Sequence, residues 1–151
     1  HVSGYLHDIG KISVPAEILS KPGTLSNIEF EIIKTHVKYG YDILNKVELP
    51  WPIADVVHQH HERIDGSGYP NSIKGEDIRI EAKIIAVADV VEAMNSHRPY
   101  RPSLGLDASM NEIKQNSGIK FDEDVVEATL SLFNEDNYEI VDEAKEIIFD
   151  I

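Results

Sequence analysis

The sequence of 151 residues lacks cysteine, long apolar runs and any excess of positive charge. Without cysteine, disulfide bonds and thiolate metal sites are excluded, and a reducing, cytoplasmic compartment is expected. No run reaches the roughly 20 apolar residues of a membrane-spanning helix, so no membrane span is expected in this segment. Lysine and arginine number 14 against 27 acidic residues, a formal net charge of -13. This balance argues against binding of DNA or RNA, which needs a basic surface.

Alternating apolar and polar runs, which are typical of strands, are also nearly absent. Apolar residues instead recur at helical spacing through most of the chain. Ser26 and Glu29 have the spacing of a capping box and predict the start of one helix. Residues 81–96 are apolar on almost all sides and predict a buried helix. The sequence therefore predicts a single all-α domain over 1–151, in which the weak pattern of 137–151 would form an accessory C-terminal helix.

Histidine and aspartate occur on the inner faces of these predicted helices. A buried carboxylate such as Asp89 needs a partner, because burying it alone costs several kcal/mol. Ordinary partners are one explanation: a lysine or arginine for Asp89, and core hydrogen bonds for His36 and His60. A shared metal explains all of them together, and nitrogen and oxygen ligands without sulfur suit Fe, Mn, Zn or Ni. The candidate ligands come from four helices or helix ends: His7, Asp8, His36, His60, His61 and Asp89.

Several motifs, in order, resemble an HD-GYP domain, a subgroup of the HD-superfamily metal-dependent phosphohydrolases. The resemblance runs from the first residues to about FDEDVV and implies a compact helical HD-domain bundle with a metal site between helices. Family members hydrolyse the bacterial second messenger cyclic di-GMP to linear pGpG and sometimes to GMP, using two or three metal ions, commonly iron or manganese. The motifs are LHDIGK (6–11), KPG (21–23), HHERIDGSGYP (60–70) and HRPYR (97–101).

The resemblance also implies a role for each matching residue. Asp8 would bridge two metals and, with Lys11, take part in catalysis at the phosphate. His7 and Asp89 would complete the first metal. The second metal would be held by His36, His60 and His61. The implied substrate-binding residues are Gly68, Tyr69, Pro70, Arg98, Tyr100 and Arg101.

The arginines have their own physical rationale. Arg98 and Arg101 offer planar forks for phosphate oxygens, which would supply the local positive charge that the acidic total conceals. A plainer interpretation is that the two arginines belong to a surface turn, because each is followed by a proline, at 99 and 102. Lys11, one turn after the His7–Asp8 pair, could stabilise charge that develops on a phosphate.

Two features depart from the family pattern. Ile64 replaces the usual tryptophan before the DGSGYP turn. The family's first metal-ligating histidine, and a glutamate for a third metal, come from a preceding helix that has no counterpart here, and His1 lies too close to His7 to replace it. We therefore expect the chain to begin inside its domain and, if made alone, to bind the first metal weakly.

Three functions are compatible with these residues. A cyclic-dinucleotide phosphodiesterase is favoured because every central ligand is present. A module that senses the nucleotide or metal without turnover is the first alternative, and an HD phosphohydrolase acting on another nucleotide is the second. The resemblance further implies an upstream sensory or receiver domain, and a homodimer is a further expectation.

Overall fold

The structure, a computed structural model, describes residues 1–97 and 102–135. Within these residues the chain is α-helical and forms no strand, which confirms the predicted fold class. None of the described helices is both long and apolar enough to cross a bilayer. The predicted accessory helix over 137–151 lies outside the described residues. The α-helices are α1 (Val2–Leu6), α2 (Ala16–Leu19), α3 (Asn27–Leu44), α4 (Ile53–Gln59), α5 (Ile80–Asn95), α6 (Leu106–Gln115) and α7 (Glu123–Glu135).

The predicted capping box fixes the start of α3. The Glu29 backbone N–H donates to the Ser26 hydroxyl at 3.3 Å, and the Ser26 backbone N–H donates to the Glu29 carboxylate at 2.7 Å. Lys21 adds an ion pair to the same carboxylate at 2.7 Å. These bonds satisfy groups that a helix start otherwise leaves unpaired. With its start defined, α3 directs His36 into the interior, where the side chain is 1% exposed.

A short 3-10 helix, Ile9–Ser13, follows α1 and packs directly on α3. The two backbones approach so closely at Gly10 that a Cβ atom there would lie 1.9 Å from the His36 carbonyl oxygen and 2.5 Å from the Gly40 nitrogen. Only glycine allows this contact. The approach places Asp8, which directly precedes the 3-10 helix, beside His36.

Helix α5 joins the N-terminal helices to the C-terminal ones, because it contacts α4 as well as α6 and α7. Its first half packs through Ala82 against Val56 of α4, and its second half packs through Val87 against the C-terminal helices. The prediction that the helix over 81–96 is buried is wrong in part, because Ile84 is 51% exposed, as is Ile80 directly before the predicted range. These two side chains lie on a face that none of the described elements covers.

Candidate metal centre

Three histidines from two helices converge at the centre of the fold. His36 comes from the middle of α3, and His60 and His61 follow the last residue of α4. One ring nitrogen from each lies within 4.8 Å of the others. The two Nε2 atoms of His36 and His60 are 3.5 Å apart. The three side chains thus present a cluster of nitrogen ligands of the kind that holds a metal ion.

Backbone carbonyls orient three of the imidazole rings. In each ring Nδ1 lies at hydrogen-bonding distance from the carbonyl oxygen three residues earlier. Because a carbonyl can only accept, Nδ1 carries a proton, and in the neutral ring Nε2 then keeps its lone pair. Metal-binding histidines commonly have this arrangement, since the outer hydrogen bond fixes the ring and its tautomer. The pairs are His7–Gly4 at 2.6 Å, His36–Ile33 at 2.7 Å and His60–Val57 at 2.6 Å.

The inward-facing atoms are acceptors that face other acceptors. The Nε2 lone pair of His36 faces that of His60 at 3.5 Å and the Oδ1 atom of Asp8 at 3.5 Å. Lone pairs at such distances repel unless a proton or a cation lies between them. A divalent cation with nitrogen and oxygen ligands would satisfy all three groups at once. The donor set therefore fits a metal ion.

Burial keeps these histidines neutral. Removal from water lowers the pKa of His36, lowers that of His60 to about 3, and lowers that of His61 as well. Metal ions bind the neutral imidazole, so the protein interior already holds the three rings in the form that binds.

Asp8 connects the histidine cluster to the start of the chain. Its carboxylate lies 3.4 Å from His7 Nε2 and accepts a short hydrogen bond from the Lys11 ammonium. Burial alone would raise the pKa of Asp8, but the bonds with His7 and Lys11 outweigh burial and lower it. The same contact with Asp8 raises the pKa of His7. An ionised carboxylate between His7 and His36 is placed to serve two ligand groups.

Asp89 extends the site toward α5. Its two oxygens lie 4.0 Å from His7 Nε2 and 4.0 Å from His61 Nδ1. Within the described part of the chain, the ion pairs of Asp89 are thus with histidines rather than with a lysine or arginine. Burial, reinforced by the charge of Asp8, raises the pKa of Asp89. A cation near both carboxylates would remove this repulsion, and an open cleft of about 430 Å³ between α1 and α5 gives access to them.

The loop that contains Gly68 and Tyr69 folds back on His61. The Tyr69 ring stacks on His61 with centroids 4.7 Å apart, and the Tyr69 backbone N–H donates to the His61 carbonyl at 3.3 Å. Glu62 is buried, and its carboxylate accepts the Asn71 backbone N–H at 2.7 Å. Sequence reasoning missed Glu62, although it directly follows the histidine pair. Its carboxylate closes the loop that carries Tyr69.

Substitution of Gly68 by alanine is expected to displace this loop. A Cβ atom there would lie 2.4 Å from the Glu62 Cα and 2.5 Å from the His61 carbonyl oxygen. We expect a loss of about 1–3 kcal/mol in stability and roughly a 10–100-fold loss of metal affinity. Urea unfolding and metal titration would measure both. Ser67→Ala, at an exposed neighbouring position, is the control, and equal metal affinity in the two variants would contradict the prediction.

Most of the candidate site residues lie close together in the structure, but four of those predicted to bind substrate do not or lie outside the described residues. Pro70 is exposed at the outer end of the loop. Arg98, Tyr100 and Arg101 lie outside the described residues. The residues that converge are His7, Asp8, Lys11, His36, His60, His61, Tyr69 and Asp89.

Comparison with known proteins gives consistent matches. The model of a family described as HD domain matches residues 1–125. A cyclic di-GMP phosphodiesterase of Thermotoga maritima is 46% identical over 132 residues, which are 86% of this chain and 36% of that protein. The cyclic di-GMP phosphodiesterase response regulator RpfG of Xanthomonas campestris is 42% identical over 83% of this chain and 34% of its own length.

Other relatives are named for a different cyclic dinucleotide. The 3'3'-cGAMP-specific phosphodiesterase 2 of Vibrio cholerae is 39% identical over 86% of this chain and 25% of its own length. The crystal structure of a cyclic GMP-AMP-specific phosphodiesterase from V. cholerae superposes with a TM-score of 0.66 at 17% identity, covering 98% of this chain and 42% of that one. This likeness shows the fold. The chain spans about a third or less of the length of these curated relatives.

Proposed function

The chain belongs to the HD domain family, and on that premise we propose that it is a metal-dependent phosphodiesterase that hydrolyses cyclic di-GMP to pGpG, with GMP as a further product to be tested. The observation that carries the proposal is that His36 Nε2 lies 3.5 Å from His60 Nε2 and 3.5 Å from Asp8 Oδ1. The names of the relatives support the substrate class, since they are cyclic di-GMP or cGAMP phosphodiesterases.

Two groups of side chains would hold the ions. We propose that His36, His60 and His61 would hold one ion and that His7 and Asp89 would hold a second, with Asp8 as a ligand shared by both. Iron or manganese is proposed because the resemblance to HD-GYP domains implies one of them, and imidazole and carboxylate ligands without sulfur suit both. Divalent ions bound there would supply Lewis acidity and a water of lowered pKa for attack on phosphorus.

The protein's own contribution is orientation and charge. Hydrogen bonds from Nδ1 to backbone carbonyls hold His7, His36 and His60 with their lone pairs directed inward. Lys11 forms an ion pair with Asp8. Its ammonium would therefore lie beside an oxygen of a phosphate that is bound next to Asp8. An anionic transition state at that position would be stabilised more than the bound substrate, because negative charge accumulates on its oxygens.

Arg98 and Arg101 are proposed to bind substrate phosphate, with Tyr100 between them. Arg98→Ala and Arg101→Ala should each weaken binding of cyclic di-GMP by roughly tenfold or more, because a charge-assisted hydrogen bond contributes about 1.5–3 kcal/mol. Both variants should keep the wild-type metal content, since neither arginine is a proposed ligand. Isothermal titration with the nucleotide and elemental analysis of the same samples would measure the two quantities. A loss of metal in either variant would indicate a structural role instead.

The test of the proposed function is metal analysis of anaerobically purified protein combined with a product assay. The expected result is bound iron or manganese and conversion of cyclic di-GMP to pGpG. Cyclic GMP-AMP would be tested as a second substrate in the same assay. Binding of the nucleotide without product would favour a sensing module. Hydrolysis of a mononucleotide, with neither cyclic dinucleotide cut, would favour another HD phosphohydrolase.

The upstream sensory or receiver domain and the homodimer remain proposals for the whole protein. One relative is named a response regulator, and the regions that match this chain make up only 25–36% of the length of these relatives. Light scattering over a range of concentrations would test for the dimer.

A further inference from the structure

Lys34 is a fixed cation close to the candidate centre. It lies on α3, two residues before His36, and its Nζ atom is 4.9 Å from the centroid of the Phe30 ring and 5.3 Å from that of Tyr69. The Glu31 carboxylate accepts a hydrogen bond from the same ammonium at 2.6 Å. Two aromatic rings and one carboxylate therefore hold a charge that most surface lysines leave mobile.

Tyr69 links this ammonium to the metal ligands. The ring that Lys34 lies over is the ring that stacks on His61. The Lys34 side chain is 28% exposed, so a ligand can reach it from solvent. The Tyr69 ring therefore has both a candidate metal ligand, His61, and the Lys34 ammonium as neighbours.

The charges around the centre explain why a further cation is useful. Lys11 is paired with Asp8, so its ammonium, like the proposed ions, lies at the reacting position. A cyclic dinucleotide carries two phosphodiesters in one ring, of which only one can be at the reacting position. The second phosphate remains anionic, and in a protein of net charge -13 a further cation beside it, in addition to Arg98 and Arg101, would strengthen binding of the dinucleotide.

We propose that Lys34 binds the second phosphate of the cyclic dinucleotide, the one that is not being hydrolysed. The assignment rests on the proposed function, whose substrate it makes more specific. Glu31 is 68% exposed and can turn to solvent when the phosphate takes its place. The contacts with Phe30 and Tyr69 then keep the ammonium in position, and its bond to the phosphate is charge-assisted.

The test compares Lys34→Met with Lys38→Met, a change of the same charge one turn along α3 at an exposed position. Lys34→Met should raise the KM for cyclic di-GMP about tenfold, as expected for one lost charge-assisted hydrogen bond, and should leave metal content unchanged. Lys38→Met should change KM less than twofold, and Lys34→Arg should restore most of the affinity. An unchanged KM in Lys34→Met, or an equal rise in Lys38→Met, would overturn the proposal.

A substrate with one phosphate separates this role from a general defect. Bis(4-nitrophenyl) phosphate has no second phosphodiester, so Lys34→Met should hydrolyse it as fast as the wild type. An equal loss on both substrates would overturn the proposal. Calorimetric binding of cyclic di-GMP to the wild type and to Lys34→Met is measured in parallel. If the wild type binds without turnover, hydrolysis is refuted, and weaker binding by the variant still supports Lys34. Absence of any binding refutes both.

Discussion

Replacing Asp8 by asparagine is expected to remove most of the bound metal and to lower the rate of cyclic di-GMP hydrolysis roughly a hundredfold to a thousandfold. Asp8 lies between His7, at 3.4 Å, and His36, at 3.5 Å, so its carboxylate faces both groups of proposed ligands. A neutral amide has one good acceptor oxygen in place of two charged ones, and is a poor bridge between two cations. The same change removes the charge that holds the Lys11 ammonium in place.

Stability without metal distinguishes loss of a ligand from loss of the fold. In the metal-free protein Asp8 contacts His7 and Lys11, and all three side chains are partly exposed. Asp8→Asn should therefore lower the free energy of unfolding by no more than these two contacts contribute, about 2 kcal/mol or less in total. Asp42→Asn is the control because it makes the same change at an exposed position of α3. Elemental analysis, a product assay and urea unfolding in chelator would be run on each. Full metal content and full activity in Asp8→Asn would show that it is not the bridge.

The inward direction of the candidate ligand histidines could be predicted because helical periodicity specifies which face of a helix is buried. His36 falls on the apolar stripe of α3, and the capping box at Ser26 sets where that helix starts. His60 and His61 follow the apolar positions of α4 in the same way. The direction of each side chain is a local property, and a single sequence contains it.

Other contributions depend on contacts between distant segments, which periodicity does not encode. Glu62 resembles an exposed acid at a helix end, and it is buried only because the loop returns to place Asn71 against it. Lys34 is close to the site only because that same loop brings Tyr69 over α3. The exposure of Ile84 on α5 differs from the prediction for a related reason, since an apolar pattern does not say whether another element covers that face of the helix.

Gly10 illustrates the same limit and leads to the second large effect. The sequence shows this glycine only as part of the LHDIGK motif, whereas the structure shows that it forms the contact between the 3-10 helix and α3. Gly10→Ala would place a Cβ atom 1.9 Å from the His36 carbonyl oxygen, a distance that atoms cannot adopt. The carbonyl oxygen is a backbone atom and the Cβ atom is bonded directly to the backbone, so no side-chain rotation can relieve this clash. The 3-10 helix must move away from α3, and Asp8 must move with it.

The expected loss for Gly10→Ala is about 3 kcal/mol of stability, at the upper end of the range for overpacking, together with most of the metal affinity. Gly4→Ala is the matched control, because a Cβ atom there meets nothing within 4 Å and the position lies in α1. Alanine favours helix more than glycine does, so Gly4→Ala should leave stability unchanged or raise it by up to about 1 kcal/mol. Urea unfolding in chelator would give both stabilities, and titration with manganese would give both affinities. If Gly10→Ala unfolds at the wild-type urea concentration and binds manganese as tightly, the 3-10 helix does not need this contact to place Asp8 beside His36.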